Sequence, residues 1–420
     1  MGIVASFCCA RIGLVLACLA CGLSACGKEE AISEDESASD LGTDSDAAAK
    51  RAHDKMLAAL GYLDYVEETD GRPSGVSTYD AAQVAPGLNL VSVHRRVHAL
   101  LFDAEGSVVH SWQGKGDVWG HAELLPNGDI IVPERTGKRY DLLRLSWDGS
   151  EVWRVEVGAH HDAEVRPDGL VSSLGSQERQ EDLIDTKLSF RDECILLIDP
   201  ETGQELERAS FFDLFTNAED FEFLEQRWTE RVRWRTDWID LFHANSVEWM
   251  HRPELVERSP IYASDHVLVS FRHQACVAIF DWTQRKMVWH WGRGEISGSH
   301  DASVLANGNI LIFDNGLGRG WSRAVEVNPL TDEIVWEYRA APQEDFFTQS
   351  RGSAQRLANG NTLLGESDRG HAIEVNPAGE IVWEYWHPGS DDKVATITRI
   401  KRVDAPEQLD EPISNQTDED

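Results

Sequence analysis

The chain has 420 residues, of which 73 are acidic and 39 are Lys or Arg, so its formal net charge is −34. A surface this acidic repels a phosphate backbone, which counts against nucleic acid as a partner. The length exceeds that of one compact core but is ordinary for a closed array of similar β units. The Gly and Trp residues among short runs of Val, Ile and Leu predict an all-β protein with many turns.

The N-terminal segment, residues 1–25, has the pattern of a signal peptide. An apolar run from Ile12 to Ala25 follows one basic residue, Arg11, and is too short to span a bilayer. It ends in LSAC at Cys26, which resembles the bacterial lipobox, whose Cys is lipidated and becomes the mature N-terminus. Ordinary secretory cleavage after Ala25 is the alternative. A lipidated Cys26 would attach the protein to a membrane of the cell envelope, and we expect the periplasmic side of the outer membrane.

Two acidic segments flank the predicted fold. Residues 26–86 follow the lipidation site and residues 404–420 end the chain, and both contain many acidic and few apolar residues. Such compositions predict disorder. We therefore expect a lipid-anchored, mostly disordered linker, a folded region over residues 87–403, and a disordered acidic tail.

Internal similarity at a spacing of several tens of residues runs through the folded region. The clearest copies begin at Ser299, with SHDASVLANGNILIFDNG, and at Gly352, with GSAQRLANGNTLLGES. Looser copies begin at His121, His161 and His243. Each copy contains four strand-like runs separated by turn residues, which is typical of a propeller blade.

A sixth blade is predicted from the two ends of the folded region. The chain from Asn89 to Trp112 contains only three strand-like runs, and one further run extends from Thr396 to Val403. Together they supply four strands, so we predict a six-bladed β-propeller closed by the C-terminal strand. Residues 211–242 are charged and aromatic with helical spacing, which predicts a helical insertion between blades three and four.

Two cysteines fall inside the predicted propeller. Cys194 and Cys276 occupy similar places in two strand-like runs, CILLIDP and CVAIFD. Equivalent positions in neighbouring repeats do not face each other, which predicts two buried free thiols. A disulfide, which the oxidising compartment would permit, is the alternative.

Three histidines begin the first strand of three predicted blades. Because those strands line the central channel of a propeller, His161, His243 and His300 should converge at one mouth. His161 and His300 each precede the turn glycine of their repeat by eight positions. His121 precedes its glycine by seven and would point away from the channel. One histidine alone would be better explained by a structural role, but three at equivalent positions favour a functional site.

Arg272 distinguishes between the two kinds of site that clustered histidines form. Such clusters commonly bind a transition metal, but Arg272, in the second strand of blade four, would repel a cation and attract an anion. A surface ion pair is the alternative for Arg272. Asn245, two residues after His243 on the same strand face, could add a hydrogen-bond donor. We therefore predict an oxyanion pocket with no metal and no cofactor.

An imidazole-rich anion pocket is suited to nucleophilic displacement at sulfur or phosphorus. One neutral histidine would attack, while the other groups hold the equatorial oxygens and a proton donor serves the leaving group. No GxxxxGK[ST] motif occurs in the sequence, so a nucleotide donor is not expected. Asp162 and Asp301 face away from the preceding rings by strand alternation and are expected to bond between blades.

The motifs HHDAEVRPDG, FHANSVEW, SFRHQ and SHDASVLANGNILIFDNG point to a known family. In content and order they resemble motifs of the bacterial arylsulfate sulfotransferases, and the resemblance extends from Asn89 to Val403. Members of that family are six-bladed propellers outside the cytoplasm. The resemblance implies transfer of a sulfuryl group from an aryl sulfate ester to a phenolic acceptor through a sulfohistidine intermediate, without a nucleotide sulfate donor.

The resemblance also implies roles for the residues of the predicted site. His300 is similar to the nucleophile that becomes sulfated. His161, His243 and Arg272 are similar to the groups that bind the sulfuryl oxygens or move the phenol proton, and Asn245 to a neighbouring polar contact.

The sequence differs from better-known family members in one respect, and two other functions are alternatives. Better-known family members carry a separate N-terminal β-domain, and the residues before Asn89 are too few and too polar to form one, so we expect a monomer. A non-enzymatic ligand-binding or scaffolding propeller, anchored to the membrane, is the alternative function. It would not require the histidines and Arg272 at one mouth. A quinoprotein propeller would place a Trp after the TG turn of most blades, and ETG at 201–203 is followed by none.

Overall fold

The computed structural model describes residues 73–180, 189–218, 238–389 and 395–409. Over these residues the chain forms six sheets of four or five strands, which follow one another along the sequence. The predicted lipidation site, Cys26, lies outside the described residues. None of the helices in the described part of the chain has the length and hydrophobicity of a transmembrane span.

The first described strand is β1 (Gly75–Tyr79), which does not belong to the first three sheets. Most strands of those three sheets come from the N-terminal half of the fold. The first sheet contains β2 (Leu88–Val93), β3 (His98–Phe102), β4 (Val108–Gln113) and the last described strand, near residue 400. The second contains β5 (Val118–Trp119), β6 (Glu123–Leu124), β7 (Ile130–Thr136), β8 (Arg139–Leu145) and β9 (Glu151–Glu156). The third contains β10 (His160–Val165), β11 (Val171–Arg179), β12 (Ser189–Ile198), β13 (Glu205–Ser210) and β14 (Trp238–Asp240).

The remaining three sheets follow in the same way. The fourth contains β15 (Ala244–Trp249), β16 (His266–Phe271), β17 (Cys276–Asp281) and β18 (Lys286–Trp291). The fifth contains β19 (Ala302–Val304), β20 (Ile310–Asp314), β21 (Arg323–Asn328) and β22 (Glu333–Tyr338). The sixth contains β23 (Ser353–Arg356), β24 (Thr362–Glu366), β25 (His371–Val375) and β26 (Ile381–Trp386), and the last described strand is β27 (Ile397–Val403). The described helices are α1 (Phe211–Thr216) and the 3-10 helices Pro253–Leu255, Pro260–Tyr262, Gln343–Asp345, Ser367–Arg369 and Glu407–Leu409.

Two strands join sheets that are distant from them in sequence. Strand β27 pairs antiparallel with β2, so that Ile400 lies opposite Val91. Strand β1 pairs antiparallel with β26, where Gly75 lies opposite Trp386, and forms an edge of the sixth sheet. Strand β1 belongs to residues 26–86, for which the composition predicts a mostly disordered linker, so the ordered region begins before residue 87.

The apolar core lies between successive sheets rather than in one central mass. It consists of six clusters, each built from two neighbouring sheets among the described residues. The cluster around Trp119 joins the first sheet to the second, and the cluster around Trp383 joins the sixth sheet back to the first. Each sheet therefore packs against the next and the last against the first, which makes the fold a six-bladed β-propeller, as predicted.

The repeated ANGN motif forms the turn between the first two strands of a blade. In blade five the carbonyl of Leu305 accepts the N–H of Gly308 at 2.9 Å, and Oδ1 of Asn307 accepts the N–H of Asn309 at 2.9 Å. Gly308 has a φ of +86°, a conformation that glycine adopts at little cost. The turn geometry thus explains the most repeated letters of the sequence.

Two aspartates at the start of the inner strands bond between blades, as predicted. Oδ2 of Asp162 accepts the N–H of Val247 at 3.0 Å, and Oδ2 of Asp301 accepts the N–H of Ala354 at 3.1 Å. Arg399, on β27, donates to Oδ1 of Asp162 at 2.9 Å and lies 3.5 Å from Oδ1 of Asp301. These bonds fix the inner strands of several blades relative to one another.

Helix α1 is the described part of the predicted helical insertion. Its first turn is capped by Ser210, whose Oγ accepts the N–H of Asp213 at 3.2 Å. Its phenylalanines, including Phe211 and Phe215, fill the cluster between blades three and four. Residues 219–237 lie outside the described residues, so the helical insertion stays a prediction there. At Trp238–Asp240 the helical prediction is wrong, because these residues form strand β14, which pairs with β12 of blade three.

The two cysteines of the propeller are buried thiols that form no disulfide, which confirms that prediction. Cys194 lies in β12 of blade three and Cys276 begins β17 of blade four. Burial raises the pKa of the Cys194 thiol to about 12, so it remains protonated at neutral pH.

Candidate active site

A cavity of about 120 Å³ lies at one mouth of the propeller. All six blades, or the loops between them, supply residues to its wall. The three predicted histidines, His161, His243 and His300, all line it. The positions that the repeat pattern singled out therefore converge, because the first strand of each blade lines the central channel.

The hydrogen bonds of His300 determine which of its nitrogens carries the proton. Its Nδ1 lies 2.8 Å from Oδ1 of Asn315 and 2.9 Å from the carbonyl of Gly298. The amide nitrogen of Asn315 donates to the carbonyls of Thr348 and Arg351 at 3.0 and 2.8 Å, so its oxygen is the atom that faces His300. Because both neighbours of Nδ1 are acceptors, Nδ1 carries the hydrogen and Nε2 keeps its lone pair.

The environment of His300 Nε2 consists of hydrogen-bond donors. Nε2 accepts the backbone N–H of Arg351 at 2.8 Å, and Nη1 of Arg272 lies 3.5 Å away. Burial, and next the positive charge of Arg272, hold the pKa of His300 well below its usual range. His300 is therefore a neutral imidazole whose lone pair faces groups that would also attract the oxygens of an anion.

His243 is paired with a carboxylate. Its Nδ1 donates to Oδ2 of Asp240 at 2.5 Å, and both side chains are almost fully buried. Burial alone would raise the pKa of Asp240, but the imidazoles of His243 and His273 keep it well below its usual range. An ionised Asp240 stabilises a positive charge on His243 and leaves Nε2 as the nitrogen that can exchange a proton.

The same carboxylate raises the question of a metal ion. Asp240, His243 and His273 each offer a ligand atom, and these atoms lie within 4.8 Å of one another. The Nδ1 atoms of His243 and His273 donate hydrogen bonds to the side chain and the carbonyl of Asp240, at 2.5 and 2.8 Å. A nitrogen that donates has no lone pair for a metal, so the geometry favours hydrogen-bonded orientation of two imidazoles.

His161 lies between two other histidines. Its ring centroid is 5.0 Å from that of His160 and 5.0 Å from that of His243. Burial, and next the neighbouring histidines, hold the pKa of His161 well below its usual range. His160 also lines the cavity, and its Nε2 lies 2.9 Å from Oε1 of Glu193, a carboxyl whose pKa burial raises to about 7.

Backbone geometry explains why two consecutive histidines both line the cavity. His161 has a φ of +57°, and the pairing of β10 with β11 shifts register between His160 and Ala163. His243 has a φ of +48°, and the pairing of β15 with β16 shifts after Ala244. These bulges interrupt the alternation of side chains between the two strand faces.

The other predicted residues lie close to the cavity but not in its wall. Arg272 follows β16, and its backbone N–H donates to the carbonyl of His243 at 3.0 Å. Asn245 is buried and its Nδ2 donates to the carbonyl of Ser299 at 2.9 Å, so contact with substrate stays a prediction. His121 is buried with Nε2 3.3 Å from Glu123 and is absent from the cavity wall that the described residues form.

A family model described as arylsulfotransferase (ASST) matches residues 105–388, which is more than half of the chain. The chain belongs to the arylsulfotransferase (ASST) family. Membership implies arylsulfate sulfotransferase-like activity on small-molecule aryl sulfates. No curated protein matches the chain.

The solved structures that are similar to this arylsulfotransferase include the following three. A protein of unknown function from Bacteroides caccae has 15% identity and a TM-score of 0.50, and the alignment covers 75% of this chain and 98% of that one. A functionally unknown protein from Desulfotomaculum acetoxidans has 9% identity, coverage of 76% and 100%, and a TM-score of 0.44. The β-propeller domain of Myceliophteria thermophila Cps50 (Swd1) has 11% identity, coverage of 77% and 89%, and a TM-score of 0.43. The similarity to the Bacteroides caccae protein concerns the fold alone.

Blade six of this arylsulfotransferase has Gly352 at the position that His300 holds in blade five. Gly352 has a φ of +103°, and a Cβ atom there would lie 2.2 Å from the ring of Phe313. Only glycine fits this conformation and this space. Blade six contributes backbone instead of an imidazole, since the preceding residue, Arg351, donates its N–H to His300.

Sequence reasoning missed four residues that shape this site. His160 adjoins His161 in the HHDAEV motif, but regular strand alternation places it on the other face. Asp240 precedes His243 by three residues and was missed because it lies in the segment assigned to an insertion. The short spacing between this carboxylate and the histidine is the sequence signal that could have found it. Asn315 follows a predicted strand in FDNG, and Arg351 acts through its backbone, which no sequence pattern reveals.

Proposed function

We propose that this arylsulfotransferase transfers a sulfuryl group from an aryl sulfate ester to a phenol through a sulfohistidine at Nε2 of His300, without a nucleotide sulfate donor. The observation that carries the proposal is the neutral imidazole of His300, whose protonation is set by Asn315 and whose lone pair faces two donors, Arg272 and the N–H of Arg351. A lone pair among donors suits attack on the electrophilic centre of an anion.

In the first half-reaction, the Nε2 lone pair of His300 forms a bond to sulfur, and the bond between sulfur and the aryl oxygen breaks. The N–H of Arg351 then donates to a sulfuryl oxygen instead of to Nε2, and Arg272 and His161 hold the other oxygens. The aryl oxygen takes the electron pair and receives a proton from Nε2 of His243, which Asp240 stabilises in its charged form.

In the second half-reaction, a phenolic acceptor replaces the donor phenol. Neutral His243 takes the proton of the acceptor, whose oxygen attacks sulfur, and the bond between sulfur and Nε2 of His300 breaks. His300 returns to its neutral form and His243 to its charged form, so protons and charges balance over the cycle. One histidine thus serves first as the acid and then as the base of the cycle.

Further proposals rest on sequence or on partial observations. Asn245 fixes the carbonyl of Ser299, directly before His300, and we retain it as a substrate contact. Closure of the ring by strand β27 is supported by its pairing with β2. We also propose that Cys26 is lipidated, that the protein lies at the outer membrane facing the periplasm, that the part of the predicted insertion over residues 219–237 lies over one face, and that the protein is a monomer.

The test is sulfuryl transfer together with detection of the adduct. The protein is incubated with 4-nitrophenyl sulfate, with and without phenol, and its intact mass is measured. We expect release of 4-nitrophenol that depends on phenol, and a labile adduct of one SO₃ that is absent in His300→Ala. His290→Ala, at an exposed position of β18, is the control and should behave like the wild type. Equal turnover in wild type and His300→Ala would refute the mechanism, and binding without turnover would favour a non-enzymatic propeller.

A further inference from the structure

A buried carboxyl group connects two of the histidines that line the cavity. Glu193, in β12 of blade three, is completely buried. Its Oε1 lies 2.9 Å from Nε2 of His160, the residue directly before His161. Its Oε2 accepts the N–H of Ala244, the residue directly after His243, at 2.7 Å. One carboxyl group therefore bonds to a chain neighbour of His161 and to a chain neighbour of His243.

The backbone at both histidines has a conformation that needs support from its surroundings. His161 has a φ of +57° and His243 a φ of +48°, and residues with a side chain rarely adopt such values. The two imidazoles lie against each other, with ring centroids 5.0 Å apart. Such conformations cost free energy and persist only where surrounding contacts fix them. The two bonds of Glu193 are contacts of this kind, one beside each histidine.

The hydrogen bonds of His160 require a proton between this residue and Glu193. Nδ1 of His160 lies 3.2 Å from the carbonyl oxygen of Gly158, which can only accept, so Nδ1 carries a hydrogen. A neutral imidazole then has a lone pair at Nε2, and an ionised carboxylate also offers only lone pairs. Two buried acceptors 2.9 Å apart repel each other, whereas one proton between them makes a hydrogen bond. The pair therefore holds one shared proton.

The charged groups around Glu193 determine how firmly that proton is held. Burial, and next the ionised Asp240, raise the pKa of Glu193 to about 7, while Arg191 and His243 oppose the shift. Nε of Arg191 lies 4.0 Å from Oε1 of Glu193, and Asp240 is opposite Arg191 in the pairing of β14 with β12. Burial, and next Arg191, hold the pKa of His160 well below its usual range. The proton therefore resides on the carboxyl group and is lost as the pH rises through about 7.

We propose that Glu193 and His160 form a positioning pair, whose shared proton holds the two neighbouring cavity histidines in place. This rests on the proposed function, in which His161 binds a sulfuryl oxygen and His243 moves the phenol proton. The pair offers the substrate no polar atom, because both nitrogens of His160 and both oxygens of Glu193 are bonded within the protein. Loss of the proton sets two acceptors against each other and disturbs the backbone beside both histidines.

The experiment measures kcat/KM for 4-nitrophenyl sulfate between pH 6 and pH 9 in the wild type and in Glu193→Gln. This donor depends little on a proton from His243, so its pH profile reports other groups. The glutamine amide donates permanently to Nε2 of His160, and its oxygen accepts the N–H of Ala244.

The two proteins should differ in their dependence on pH. We expect kcat/KM of the wild type to fall by about 10- to 100-fold as the pH rises through 7, the range for a buried group that loses its partner. Glu193→Gln should be within about threefold of the wild type at pH 6 and should not fall further up to pH 9. Glu178→Gln, at an exposed position of β11 in the same blade, is the control and should keep the wild-type profile.

A second measurement detects the shared proton without catalysis. The protein is labelled with nitrogen-15 in its histidines, and the NMR signals of His160 are identified by their absence in His160→Gln. We expect Nδ1 to carry a hydrogen throughout, and the shift of Nε2 to change near pH 7 in the wild type but not in Glu193→Gln.

The outcomes separate the positioning pair from the proposed function. A titration of Nε2 that depends on Glu193, in a protein that turns over no aryl sulfate, would support the shared proton and refute the proposed function. Sulfuryl transfer with the same fall above pH 7 in wild type and Glu193→Gln would support the function and refute the pair. An equal loss of activity at every pH in Glu193→Gln would also overturn the pair, because a permanent donor should replace the proton.

Discussion

Replacing Asp240 with asparagine removes the charge that faces Nδ1 of His243 while keeping the shape of the side chain. In the wild type this contact is a buried hydrogen bond of 2.5 Å between an imidazole and a carboxylate. A hydrogen bond to a charged group contributes about 1.5–3 kcal/mol, which corresponds to roughly 10- to 100-fold in an equilibrium or a rate. Asp240→Asn should therefore slow the step in which His243 donates a proton to the leaving phenol by this factor.

The effect should depend on how much the leaving phenol needs a proton. A nitrophenolate departs without help, whereas an unsubstituted or alkyl-substituted phenolate requires general acid catalysis. We expect Asp240→Asn to lower kcat/KM for phenyl sulfate by about 10- to 100-fold and for 4-nitrophenyl sulfate by less than about threefold.

The assay measures kcat/KM for each donor at a fixed acceptor concentration. In a mechanism with a covalent intermediate this constant reports the steps up to sulfohistidine formation. Asp168→Asn, at an exposed turn, is the control for the substitution itself. An equal loss for both donors would refute a proton-transfer role for His243 and would leave Asp240 as a purely structural residue.

Three further predictions concern the nucleophile and the fold. The pKa of His300 lies well below its usual range, so its neutral form persists as the pH falls through 6.5. The yield of adduct from 4-nitrophenyl sulfate should therefore not fall between pH 7.5 and 6.0. A loss that follows a pKa near 6.5 in both wild type and Asp240→Asn would contradict this prediction. Gly352→Ala should destabilise the fold by about 1–3 kcal/mol, because the new Cβ meets Phe313, and an unchanged midpoint in urea would contradict the overlap. Burial raises the pKa of Glu248 to about 7, so the folded protein favours the protonated carboxyl of this residue. The stability that the protonated carboxyl contributes is present below the ordinary pKa of about 4.5 and is lost as the pH rises through 7. Glu248→Gln should therefore raise the free energy of unfolding by about 1–3 kcal/mol at pH 8 and by little at pH 4.5, and equal effects at both pH values would contradict the shift.

The fold was largely predictable because each blade repeats the same pattern of turn residues and strand residues. The turn around Gly308 requires glycine, and alternating apolar residues determine which strand faces meet between blades. Strand β1 was not predictable from composition. Its Val76 packs against an apolar cluster, and the edge strand is also held by pairing with β26 and by bonds from Ser77 and Thr78 to Glu384.

The site was predictable where it follows the repeat and not where it departs from it. His161, His243 and His300 were found because they occupy equivalent positions at the channel mouth. His160 was missed because a positive φ at the next residue turns two consecutive side chains to one cavity. The backbone N–H of Arg351 has no signature in a sequence, since any residue except proline could supply it.

Strand β27 has a consequence for the order in which the protein becomes functional. Its Thr398 lines the cavity, and its Arg399 holds Asp162 and Asp301, the residues directly after His161 and His300. A growing polypeptide that has not yet reached residue 397 contains the histidines but lacks the strand that aligns them. The bonds from Arg399 to Asp162 and Asp301 can therefore form only after strands β1 to β26 have been synthesised.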